Sequence, residues 1–168
     1  MMDRVFSFFL PAFLLLTVVA CSSSKRPQSA MNDDGFSSRN FLQQINTIRA
    51  RGCNCGGRNY PPAPAVGWNN KLENAAAAHS NYMQRSGRLT HSGRNGMMPE
   101  KRVSASGYQW SAVAENIAMG QRSTSEVIQS WLQSPQHCRN IMSRNITEIG
   151  AARSGAYWTL VLAAPAYK

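Results

Sequence analysis

The sequence predicts an α+β domain, on three observations. Three segments carry apolar residues at helical spacing, two segments near the C-terminus read as strands around a tight turn, and glycine and proline gather between them. The first helix is expected over residues 37–51, where Phe41, Leu42, Ile45 and Ile48 form a stripe and Gly52 is a natural stop. A second begins at a capping-box-like pair, Asn70 and Glu73. It continues through Leu72, Ala75, Ala76, His79, Tyr82 and Met83 to a stop before Gly87. Residues 88–107, with three glycines and a proline, read as one long loop of the kind that often carries function. Ser123 and Glu126 form another capping box, opening a helix with Val127, Ile128, Trp131 and Leu132 on one side; Pro135 ends it or begins a short following helix. Residues 145–152 and 157–163 are the two strands, turning at Arg153-Ser154-Gly155. The second is apolar on both faces, so it is expected at the centre of a sheet.

The N-terminus carries a different signal. Arg4 precedes an apolar run, Val5 to Val19, that ends at Val18-Val19-Ala20-Cys21, the pattern of a bacterial lipobox. Residues 1–20 are therefore expected to be a lipoprotein signal peptide, with thioether lipidation of Cys21; the alternative is an ordinary secretory signal. Residues 21–34 are poor in apolar side chains and form the expected tether. Residues 35–168 are long enough for one domain with a real core.

The net charge is +10, and fourteen of the eighteen basic residues are arginine. Outside the cytoplasm such a surface points to anionic envelope lipids or cell-wall polymers, or is simply solvated. No arginine run is interleaved with aromatics, so nucleic acid is not expected as a partner. Of the cysteines other than Cys21, Cys53 and Cys55 are too close in sequence to bond readily to each other. A Cys55–Cys138 bridge is expected, because Gly56 and Gly57 allow an unusual backbone path beside it. Cys53–Cys138 and a zinc site of the three cysteines with His137 are the alternatives.

Glu115 stands inside Ala112-Val113-Ala114-Glu115-Asn116-Ile117-Ala118, where a carboxylate is costly unless partnered. His91 is one candidate partner; backbone amides are the other. His91 itself, in Thr90-His91-Ser92-Gly93, reads as a base, ligand or metal donor, or as a histidine that holds its loop. His79 falls on the apolar face of the second helix and reads as a core histidine. His137, after Ser134-Pro135, either faces a cleft or interacts with the helix ends. Neither a GxSxG elbow nor an HExxH pair is present. Cys138 beside His137 makes a poor dyad, because adjacent side chains diverge and a disulfide would block the thiol.

Several motifs occur in order: Asn46-x-x-Arg49, Trp68-Asn69-x-x-Leu72, Ala75-Ala76-x-x-His79-Ser80, Thr90-His91-Ser92-Gly93, Gly107-Tyr108 and Glu115-Asn116-Ile117-Ala118. Trp131-Leu132-x-Ser134-Pro135-x-His137, Asn140-Ile141-Met142, Gly150 and Tyr157-Trp158-Thr159 follow. Over residues 41–165 this series resembles the CAP superfamily (cysteine-rich secretory, antigen 5 and pathogenesis-related 1 proteins, or SCP domain), in its bacterial secreted branch. The resemblance implies a three-layer α-β-α sandwich with a large open cleft. Family members place two histidines and two glutamates there, able to hold a divalent metal. Here His91 and Glu115 match one of each, while Ser134 and Tyr157 stand at the positions read as the other two. His137 is the expected substitute ligand, giving a zinc alternative at His91 and His137.

The expected function is a lipid-anchored, extracytoplasmic, monomeric binding module. It would take an envelope lipid, sterol-like or wall ligand in a cleft lined by His91, Glu115, Asn116, Ser134, His137 and Tyr157, with Asn116 fixing the loop around Glu115. A peptidoglycan or protein hydrolase, with His91, Glu115 and His137 as candidate catalytic groups, and a structural envelope protein are the alternatives.

Overall fold

The computed structural model describes residues 36–166. The signal peptide, Cys21 and the tether lie outside the described residues. Among the described residues a four-stranded sheet lies between two helical layers, with a separate two-stranded hairpin beside them. The central sheet has the order β3(Gly67–Trp68), β5(Glu148–Ser154), β6(Tyr157–Pro165), β4(Trp110–Met119), with β3 parallel to β5 and the other pairs antiparallel. β6 is the inner strand expected from its two-faced apolarity, buried from Tyr157 to Ala164. Its hairpin with β5 pairs Ser154 with Tyr157, so the turn falls one residue later than expected, on Gly155-Ala156.

Period-two alternation divides the sheet's side chains between two helical layers. Trp158, Leu160 and Leu162 of β6 join Phe41 and Ile45 of α1(Ser38–Arg51), Ile128 and Trp131 of α4(Thr124–Gln133), and Ile141 of α5(Pro135–Met142). Val161 and Ala163 face the other way, onto Leu72, Ala75 and Ala76 of α2(Asn70–Ser86) and Val103 of α3(Pro99–Ala105). Gly150 is where α2 crosses the sheet: a Cβ there would overlap the backbone of Leu72 and Glu73.

The helix starts follow their capping chemistry. Ser37 caps α1, accepting from the Asn40 amide. Asn69, one residue before the expected cap, caps α2 by accepting from Lys71 N, while Glu73 takes the Trp68 indole N–H instead of reaching back to the helix start. Ser123 caps α4 as expected, accepting from Glu126 N, while the Glu126 carboxylate reaches back to Arg122 N, one residue before the cap. Pro135 opens a separate helix, α5.

Residues 88–107 are not one loop. A 3-10 turn at Arg94–Gly96 leads into α3, which begins with Pro99 in its first turn. The apolar run around Glu115 is strand β4, paired along its length with β6. A hairpin of β1(Cys53–Cys55) and β2(Arg58–Tyr60) also had not been expected. Among the described residues no helix is long and apolar enough to cross a membrane.

Arg49 ties the long connections together. Its guanidinium, 1 % exposed, donates from Nε to Pro64 O (2.8 Å), from Nη1 to Ile141 O (2.6 Å) and Ser143 O (2.9 Å), and from Nη2 to Ile146 O (3.3 Å). One turn earlier, Asn46 exchanges two hydrogen bonds with the Val66 backbone. The motif Asn46-x-x-Arg49 is thus a device for satisfying carbonyls and amides that no helix or sheet pairs.

Candidate functional site

Glu115 lies on the α2–α3 face of β4, and its side chain is 1 % exposed. Three cations or potential cations surround it. Arg102, from the second turn of α3, donates Nη2 to Oε2 at 2.6 Å. His91, from the loop after α2, donates Nδ1 to Oε1 at 2.8 Å, since a carboxylate only accepts. His79 of α2 brings Nε2 to 3.8 Å from the same Oε1. The second Arg102 nitrogen, Nη1, donates to His91 O (2.9 Å) and to Met97 O, so one guanidinium fixes the carboxylate and the loop that carries its histidine.

The three imidazoles differ in environment. His79 is fully buried and its Nε2 donates to Thr90 O at 2.7 Å, which makes Nε2 the protonated nitrogen and leaves Nδ1 without a partner among the described residues. Burial lowers its pKa, and Arg102 and His91 lower it further, against opposing pulls from Glu115 and the Thr90 carbonyl. The His91 side chain is 44 % exposed, and its bond to Glu115 leaves Nε2 turned from the carboxylate. His137 on α5 is half-buried; burial first, then the charge of nearby His91, lowers its pKa and favours the neutral ring.

Asn116 points to the opposite face of the sheet from Glu115. Its Nδ2 donates to His137 O (3.1 Å) and its Oδ1 accepts from Asn140 Nδ2 (2.8 Å). It therefore holds α5, not the loop around Glu115. The structure thus gathers His91 and Glu115 directly, with His137 within electrostatic reach of His91. It does not bring Ser134 or Tyr157 to them by any hydrogen bond. Ser134 is the half-buried joint between α4 and α5, and Tyr157 is buried with Met83 and Ile117. The imidazole whose charge reaches His91 is that of His137 on α5.

Arg102 and the role of His79 were missed. The signal for α3 was present: Met98-Pro99-Glu100 puts proline at the first helical position and an acid in the first turn. A helix there makes Arg102 and Val103 inward-facing neighbours. Behind Arg102 and His79, a cavity of about 370 Å³ opens between α2 and α3. Ala75, Ala78, Tyr82, Met97 and Ala105 line it, and the exposed Arg85 and Arg94 stand at its edge. On α5, next to His137, Cys138 forms the expected disulfide with Cys55, joining β1 to α5, and Cys53 is free.

The profile of the cysteine-rich secretory protein family, CAP, matches residues 42–161. The chain belongs to this family. Among curated relatives, the uncharacterised protein YkwD of Bacillus subtilis (strain 168) is 32% identical over 90 residues, 52% of this chain and 35% of YkwD. A solved extracellular protein containing an SCP domain, from Bacillus anthracis, superposes with a TM-score of 0.67 at 20% identity, covering 74% of this chain and 39% of its own. An outer surface protein of Borrelia burgdorferi gives 0.66 at 16% identity, covering 76% and 92%. This CAP chain thus spans about a third of YkwD, and the structural matches establish the fold alone. The α+β three-layer CAP architecture is the one the sequence predicted.

Proposed function

We propose that this CAP protein is an extracytoplasmic binding module, lipid-anchored at Cys21, for an amphiphilic anionic ligand of the envelope, with an anionic lipid as the leading candidate. One observation carries the reading: the cavity between α2 and α3 has mainly apolar walls and arginines at its mouth. An apolar chain fills such walls, while Arg85 and Arg94 pair with a phosphate or carboxylate. Leu89, Met97 and Met98 are exposed on the same loop region, and the +10 charge favours the same class of partner. The ligand contact thus shifts from the His91–Glu115–His137 cleft to the cavity behind it. The extracellular and surface relatives fit an envelope location. Glu115, buried with both oxygens engaged, is poorly suited to the acid–base role a hydrolase would ask of it.

The test uses Ser22–Lys168 with sedimented vesicles of phosphatidylglycerol, vesicles of phosphatidylcholine and purified peptidoglycan. Binding to the anionic vesicles that is lost in Arg85→Glu/Arg94→Glu supports the reading. Pelleting with peptidoglycan alone makes the protein a wall binder. Released wall fragments make it a hydrolase, and no binding at all leaves a structural role.

A metal-assisted hydrolase is the second reading, favoured by the ring nitrogens. Glu115 engages His91 Nδ1 and presents Nε2, as carboxylates do behind metal-bound imidazoles, and His137 nearby is biased to its neutral form. Zinc there would have two imidazole ligands and water in its remaining positions. Calorimetric titration decides: zinc affinity unchanged by His91→Ala removes this reading.

A further inference from the structure

We propose that Cys53, Cys55 and Cys138 form an intramolecular thiol–disulfide exchange site, in which the bridge to α5 passes between two cysteines of one strand. The argument starts from strand geometry. Cys53 and Cys55 are two residues apart on β1, so both side chains leave the same face. That face looks onto α5, where Cys138 bonds Cys55, and the free Cys53 Sγ lies 3.5 Å from Cys138 Sγ. All three sulfurs lie within 4.8 Å of one another. The two-residue spacing that keeps Cys53 and Cys55 from bonding to each other is the spacing that aims both at a common third sulfur.

The step needs no outside oxidant. The Cys53 thiolate attacks Cys138 Sγ, a Cys53–Cys138 bond forms, the Cys55–Cys138 bond breaks, and Cys55 leaves as a thiolate that takes up a proton equivalent to the one Cys53 released. Attack requires a rotation of Cys53 about χ1, because displacement runs along the line of the breaking bond. The site has one door. Cys55 and Cys138 are 2 % and 0 % exposed, while Cys53 is half-buried, so exchange exchanges an accessible thiol for a hidden one. Either isomer keeps α5 clipped to the hairpin, and α5 carries His137 beside Cys138. The hairpin is also seated on that helix: a Cβ on Gly56 would meet Pro135 at 2.5–2.8 Å.

The experiment is thiol mapping on the chain recovered from an oxidising compartment. Samples held at pH 6, 7 and 8 are quenched in acid, unfolded, and treated with maleimide before reduction and a second alkylation. Trypsin then releases residues 52–58, and fragment ions tell which of Cys53 and Cys55 carried the free thiol. The expected result is maleimide on both positions. Starting from a sample enriched in one isomer, the approach to that mixture should quicken as pH rises, because the thiolate is the attacking species. Cys55→Ser should recover a Cys53–Cys138 bridge, with neither thiol trapped. Maleimide on Cys53 alone at every pH and time overturns the proposal, and so does trapping of both remaining thiols in a folded Cys55→Ser chain. Should that variant not fold, the wild-type mapping decides by itself.

Discussion

Arg102 Nη2 and Glu115 Oε2 meet at 2.6 Å with side chains 8 % and 1 % exposed, so the cluster rests on an ion pair almost wholly removed from water. Such a pair is expensive to assemble and more expensive to break from one side. Arg102→Met is expected to lose about 3–5 kcal/mol of unfolding free energy, the cost of an uncompensated buried charge. Adding Glu115→Gln to it should recover part of that loss. Urea unfolding of the two single variants and the double closes the cycle. A loss under about 1 kcal/mol in Arg102→Met, or additive losses, would mean the pair is not coupled as drawn.

His79 gives the fold a pH dependence with a definite sign. Its folded pKa lies below the ordinary value of 6.5, mainly from burial, and that of His137 is displaced in the same direction. Well above pH 6.5 these two imidazoles are neutral in both folded and unfolded chains, and their contribution to stability is fully present. As pH falls below 6.5 the unfolded chain takes up protons the folded one resists, so stability declines until the folded pKa values are passed. His79→Gln keeps a donor for Thr90 O and removes the titration. Its unfolding free energy between pH 7 and 5 should therefore fall less steeply than that of the parent, by chemical denaturation. Parallel curves would assign the dependence to His137 or the carboxylates instead.

Arg49 is a buried cation that donates to four backbone carbonyls, those of residues 64, 141, 143 and 146. Arg49→Met fills similar space but leaves those oxygens without donors, at about 1–3 kcal/mol for each that water cannot reach. A total loss of at least about 3 kcal/mol is expected, together with faster amide exchange over residues 141–147. Arg49→Lys, with a single nitrogen, should recover only part of the stability. Full recovery by lysine would show that charge, rather than the fork of donors, is what the position requires.

The layers were legible because periodicity reports burial. The stripes of α1, α2 and α4 and the two-faced apolarity of β6 each follow from which side meets the core. Glu115 was legible for the same reason, an acid in an apolar strand needing a partner. Its strongest partner was not, since Arg102 becomes an inward residue only once α3 is seen, and three glycines and a proline had made that stretch read as loop. Alternation along β4 explains the Asn116 error: neighbours in sequence there face opposite layers, so a residue beside Glu115 serves α5. The 157 position failed similarly, because the hairpin sends Tyr157 into the packing of Met83 and Ile117.

Gly150 offers a test of the packing itself. It sits in β5 opposite Val161, where the first turn of α2 crosses so closely that an added Cβ would overlap Leu72 C and Glu73 N. The obstacle is backbone, which cannot swing aside as a flexible side chain would. Gly150→Ala must therefore push α2 off the sheet, carrying His79 away from Glu115. A loss of at least about 3 kcal/mol is expected, at the upper end of overpacking costs. Gly67→Ala is the matched control, since the nearest atom to its added Cβ is Thr147 O at 4.0 Å. It should change stability by no more than about 0.5 kcal/mol. Equal melting temperatures for the two variants would show that α2 does not ride on β5 at the distance seen here.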